Sequence, residues 1–104
     1  MRQLDLTRSA PGADQERTAR LARHLEARLR DFGPGGPEVL SCDQRTGTVT
    51  ARFPGHSTMD ILEQLDTRFH IRAVREGETA VFHLSPDTRF EDLDYLWGCL
   101  FELL

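Results

Sequence analysis

The chain has 104 residues, 38% of them hydrophobic and 29% charged, with a net charge of −4. That is enough for one domain and too little for two, and too apolar for a disordered segment. No stretch approaches the ~18 apolar residues of a membrane-spanning helix. The arginines of Met1–Pro11 are not followed by the apolar run of a signal peptide, so a cytoplasmic location is expected. All 13 basic residues are arginines, nine of them facing seven acids up to residue 56 and four facing ten acids beyond it. Neither half has the clustered basic face of a nucleic-acid binder. With no lysine anywhere, no ε-amine exists to form a Schiff base, so lysine-based covalent catalysis is excluded.

Residues 1–12 read as an extended arm in which Leu4 and Leu6 alternate with polar neighbours. Leu21, Leu25 and Leu29 recur every fourth residue and predict a first helix over 13–31. Its five arginines are offset by four acids, as on a solvated face. Gly33-Pro34-Gly35-Gly36-Pro37 ends it. Glu38–Asp43 and Thr48–Phe53 read as a hairpin around Gln44-Arg45-Thr46-Gly47, with Val49, Ala51 and Phe53 on one face. Ser57 and Asp60 give a capping-box-like start to a second helix carrying Met59, Ile61, Leu62, Leu65 and Phe69.

A second hairpin, His70–Arg75 and Glu78–Leu84, is expected to turn at Glu76-Gly77. That register pairs Ile71 with Phe82 and Ala73 with Ala80, and sets His70 opposite His83. The last helix is expected to start at Thr88, boxed by Glu91. Phe90, Leu93, Trp97, Leu100, Phe101 and Leu104 form its core stripe. Leu96, Cys99 and Leu103 add an adjacent one, so the apolar arc is wider than one core contact needs.

The expected fold is therefore α+β, in the order α-ββ-α-ββ-α: a four-stranded antiparallel sheet with helices packed on one face. The open face would carry His70, Arg72 and His83, the candidate site for a carboxylate or phosphate; a solvated cross-strand pair beside a surface arginine is the plainer reading. No metal site is expected, since two histidines lack a third ligand. A Cys42–His83 nucleophile pair is conceivable but lacks oxyanion donors. Asp92 and Asp94 read as solvated helix-start acids. Cys42 and Cys99 read as half-buried reduced thiols.

The chain resembles the C-terminal small domain of class V aminotransferases and cysteine desulfurases, enzymes that depend on pyridoxal phosphate. The likeness rests on Arg45–Phe53 as the family's hairpin and on Phe69–Arg75 as the strand after its helix. Leu84-Ser85-Pro86 and the helix from Glu91 supply the closing elements. It covers residues 14–104 and implies an antiparallel sheet shielded on one side; parallel strands, or helices on both sides, would break it. Three features depart from the family. The large domain with the cofactor loops and the lysine is missing, and the loop between Ser85 and the last helix is shorter. His83 stands where an arginine commonly grips the substrate carboxylate, and an imidazole cannot supply that bidentate fork.

The resemblance thus implies a fold without inherited activity, a chain of residues 13–104 with no cofactor and no catalytic residue of its own. The expected role is a non-catalytic interaction or regulatory module. It would form a homodimer or dock on a protein partner, for which a pyridoxal-phosphate enzyme is a candidate. Neither nucleic acid nor membrane is an expected partner. Surface left bare by the missing large domain would include Tyr95, Leu96, Cys99 and Leu103. The alternatives are a module that binds a small anionic metabolite, and a remnant with no activity.

Overall fold

The computed structural model describes residues 3–8 and 14–104. The elements are β1 (Leu4–Leu6), α1 (Gln15–Arg30), β2 (Glu38–Asp43), β3 (Thr48–Arg52), α2 (Thr58–Phe69), β4 (Ile71–Glu76), β5 (Thr79–His83) and α3 (Phe90–Leu103). They build an α+β fold with one five-stranded mixed sheet in the order β1-β4-β5-β3-β2.

The expected four-stranded antiparallel sheet is corrected at its edge. The four strands of the two hairpins are antiparallel throughout. The fifth, β1, comes from the N-terminal arm and runs parallel to β4, with Leu4 beside Ile71 and Leu6 beside Ala73. Three residues are too few for a periodic signal, yet Leu6 is fully buried and Leu4 nearly so. Residues 1–2 and 9–12 of that arm lie outside the described residues. The parallel pairing of β1 with β4 departs from the antiparallel sheet that the family resemblance implies and stands against that resemblance.

Strand alternation explains the layering. Leu4, Leu6, Ile71, Ala80, Phe82, Val49 and Ala51 project to one side and share a single core with the buried residues of all three helices. The helices thus cover one face. Helix α1 lies over β2 and β3, α2 lies over β4 and β5, and α3 packs against both helices, filling the space between them.

Local chemistry sets the element ends. Asp14 caps α1, accepting from the Arg17 amide, and Ser57 caps α2, accepting from the Asp60 amide. Helix α3 starts one residue later than expected. Arg89 is its N-cap, the Asp92 carboxylate accepts the Arg89 amide at 3.0 Å, and Thr88 Oγ1 instead accepts from the Ser85 amide. His70 is no strand residue: it closes α2 in the left-handed region at φ 60°. Its N–H donates to the Asp66 carbonyl and its own carbonyl accepts from Leu4 N–H at 2.9 Å, so the turn that ends α2 also anchors β1.

The second hairpin turns at Gly77-Glu78, not Glu76-Gly77, with Glu76 opposite Thr79 and Val74 opposite Val81. Gly77 has φ 62°, the positive value that the first central position of a type II′ turn requires. The shift in pairing is two residues, an even number, so every side chain keeps its expected face. The ladder ends at Val74 and Val81, and His70 is not across from His83.

Gly47 joins the two hairpins. Its N–H donates to the Asp43 carbonyl and its carbonyl accepts from Leu84 N–H at 2.8 Å. At φ 72° a Cβ here would overlap Thr18 Cγ2 and lie 2.9 Å from the Leu84 carbonyl oxygen. Gly77→Ala meets only the conformational cost, because nothing stands within 4 Å of its Cβ position. In urea unfolding, Gly47→Ala is expected to cost about 3 kcal/mol, against about 1 kcal/mol for Gly77→Ala.

Leu6→Ala is expected to cost roughly 3 kcal/mol in the same assay, the value for a leucine in a packed core. A cost near zero would mean that β1 is not an integral strand.

Candidate functional site

Of the sequence-predicted ligand candidates, Arg72 and His83 lie on the open face of the sheet, while His70 lies at the end of α2. His83 is half-buried and its Nδ1 lies 3.3 Å from Thr48 Oγ1. Arg72 is exposed near the sheet edge, in register with Asp5 of β1. His70 is engaged through its backbone at the α2 terminus. Elsewhere on this face Ser41 Oγ meets Thr50 Oγ1 at 2.6 Å, Arg52 donates to Glu38 at 2.8 Å, and Val74 lies across from Val81. Among the described residues, no group of three or more His, Cys, Asp or Glu is placed to hold a metal ion.

The Cys42–His83 pair is overturned by geometry. Cys42 pairs with Val49 and Val49 with Phe82, so the thiol points to the core face while His83 points to the open one. Burial, with Glu26 and Asp43 nearby, also pushes the Cys42 thiol up, away from thiolate formation. Cys99 is buried and is raised in the same way, again chiefly by burial.

The outer surface of the helix layer is where the unassigned chemistry collects. Of the four interface candidates, only Tyr95 is exposed, at 49%; Leu96 is fully buried, Cys99 nearly so, and Leu103 half-buried. Phe101, expected in the core, is instead 56% exposed. Both stripes of α3 have helical spacing, and the packing turns the helix so that Leu93, Leu96, Cys99 and Leu100 face inward. The surface left outside keeps Tyr95 of the expected set and adds Phe101.

That surface is aromatic. Phe101 stacks on Phe32 with centroids 5.0 Å apart and meets Trp97 edge-on at 5.1 Å. Arg28 lies over the Trp97 ring at 5.3 Å. The Trp97 Nε1–H is buried without a hydrogen-bond partner. On the α2 side, the Tyr95 hydroxyl donates to the Phe69 carbonyl at 3.3 Å. A cleft there is lined by Phe69, Tyr95, Gly98, Cys99 and Glu102.

Gly98 has no internal justification. It sits inside α3, exposed and with no positive φ, and a Cβ on it would meet nothing within 4 Å. Glycine in a helix interior costs about 1 kcal/mol relative to alanine, and neither the backbone nor the packing of this chain asks for it. Sequence reasoning passed over it because one glycine in an apolar periodic run changes no pattern.

Asp94 is not simply solvated. Its Oδ1 accepts from His24 Nε2 at 2.8 Å and from Arg28 Nε at 2.9 Å, tying α3 to α1. The hydrogen bond from His24 is the largest effect holding this carboxyl below the usual aspartate range; burial opposes it, and the hydrogen bond and charge of Arg28 add to the lowering. A depressed carboxyl stabilises the fold above its ordinary pKa, and the contribution is lost as pH falls through the lower folded value. Asp94 is 46% exposed, so the contribution is under about 1 kcal/mol. Asp94→Asn is expected to lower stability by that amount at neutral pH and to flatten its decline below about pH 4, as read from thermal melts across pH.

No family model matches the chain, and no curated protein matches it significantly.

Proposed function

We propose that this chain is a non-catalytic docking module that works through the outer surface of its helix layer. The observation that carries this is the exposure of Phe101 and Tyr95, one helical stretch apart on α3, with Phe101 continuous with the Phe32–Trp97 cluster. Single exposed apolar residues are ordinary on a monomer, but a joined aromatic group rimmed by charge marks an interaction site. Aromatic and arginine side chains are also the types that anchor protein interfaces.

The helix-hairpin-helix-hairpin-helix order and the one-sided helix layer support a likeness of residues 14–104 to an aminotransferase small domain, and the parallel β1–β4 pair stands against it. The raised cysteine thiols and the placement of His70 at the end of α2, outside the strands, favour contact over catalysis or metabolite binding.

A photo-crosslinking phenylalanine analogue placed at Phe101, and separately at Thr50 on the open sheet face, tests this in the native cell. Discrete protein adducts are expected from position 101 and none from position 50. No adduct from 101, or the same adducts from both positions, would overturn the docking surface.

A further inference from the structure

The cleft between the end of α2 and the outer face of α3 is lined by Phe69, Tyr95, Gly98, Cys99 and Glu102, and its volume is about 220 Å³. Gly98 leaves it open. A Cβ at this position would meet no atom of the chain within 4 Å, so any side chain here would stand in the space of the cleft. The volume is below the roughly 300 Å³ at which small-metabolite pockets begin, and it suits one side chain of a docked protein.

The lining sets the chemistry of that side chain. The Phe69 and Tyr95 rings stand at 84° to each other with centroids 6.4 Å apart. Two perpendicular rings make an apolar corner whose faces attract a cation. A rounded ammonium fits such a corner, whereas a planar guanidinium lies flat on one ring face or forks onto a carboxylate. Glu102 is the one acid of the lining, and among the described residues it makes no ion pair. Asp66, one helical turn before Phe69, is exposed and makes none either. Against these two acids stands Arg68, which is held on α2: its guanidinium lies 5.1 Å from the Phe69 centroid and donates to Gln64. The Tyr95 hydroxyl and the Cys99 thiol are both raised, chiefly by burial, so each keeps its proton at neutral pH and adds no charge.

We infer that the cleft at Gly98 receives one lysine side chain of a partner protein, with its stem against Phe69 and Tyr95 and its ammonium at Glu102. The inference rests on the docking reading above and deepens it by giving the chemistry of the partner. These residues include no lysine, so a second copy of them cannot supply the occupant.

Nuclear magnetic resonance of the full chain tests the cleft with n-butylammonium, the lysine side chain as a free molecule. The Gly98 and Tyr95 signals are expected to shift saturably, with a dissociation constant of ~10 mM for so small a probe. n-Butanol, which is neutral, and n-propylguanidinium, the arginine counterpart, are expected to bind about fivefold more weakly. Glu102→Gln is expected to weaken n-butylammonium by about fivefold, the worth of one exposed charge contact. Gly98→Leu fills the cleft and is expected to abolish the shift at Tyr95. Leucine is the better helix former, and circular dichroism and melting temperature check that the fold is kept. No saturable shift, equal binding of n-butanol or n-propylguanidinium, or binding unchanged in Gly98→Leu overturns the inference.

The partner is tested on the adducts captured from position 101. Gly98→Leu is expected to lower their yield by about tenfold. A zero-length carbodiimide is expected to join Glu102 to a partner lysine, as read by mass spectrometry. Adducts untouched by Gly98→Leu, adducts that are dimers of this chain, or adducts in which Glu102 couples to no lysine remove the lysine and leave the docking surface standing. Binding of n-butylammonium without any adduct from position 101 removes the docking surface and, with it, the partner lysine.

Discussion

The one-sided burial of the sheet is the constraint from which the other features follow. Val49, Ala51, Ile71, Ala80 and Phe82 present a continuous apolar face, and all three helices give their buried residues to the same core. In a chain of this size there is little other apolar surface to spend. The helix layer must therefore lie on that face, and α3 must turn its densest stripe, Leu93, Leu96 and Leu100, inward. What α3 cannot bury there, Tyr95 and Phe101, remains outside as a consequence of the same packing.

The N-terminal strand shows how a small core recruits every apolar residue within reach. Leu4 and Leu6 lie far in sequence from Ile71 and Ala73, and the contact costs loop-closure entropy that grows only slowly with length. Burying two leucines at about 25 cal/mol per Å² offsets such a cost. The join is made by His70, whose left-handed conformation ends α2 and aims its carbonyl at Leu4. One backbone position thereby terminates a helix, starts β4 and holds the parallel edge.

Polar groups divide in the same way. On the open sheet face, Ser41–Thr50, Glu38–Arg52 and Thr48–His83 satisfy one another across strands and leave little for a ligand. On the helix side, Asp94 gathers His24 and Arg28 and ties α3 to α1. Arg28 also lies over the Trp97 ring, beside the stacked Phe32 and Phe101 of the surface that is proposed to dock.

Much of this was legible along the chain because it is local. Period-two alternation over Thr48–Arg52, fourfold spacing of Leu21, Leu25 and Leu29, the Ser57 cap and the positive φ at Gly47 each need only neighbouring residues. The sequence by itself thus determined the helices, the two hairpins and the residues that share each strand face. It also excluded a lysine Schiff base within these residues. Tertiary structure decided the parallel β1, the Gly77-Glu78 turn, the separation of His70 from His83, and the rotation of α3 that buries Leu96 and exposes Phe101. The physical reason is common to all four. A helix with two apolar stripes, a strand of three residues and a turn with two possible centres are each locally degenerate, and only the volume of the shared core and the pairing of distant backbones choose among their states.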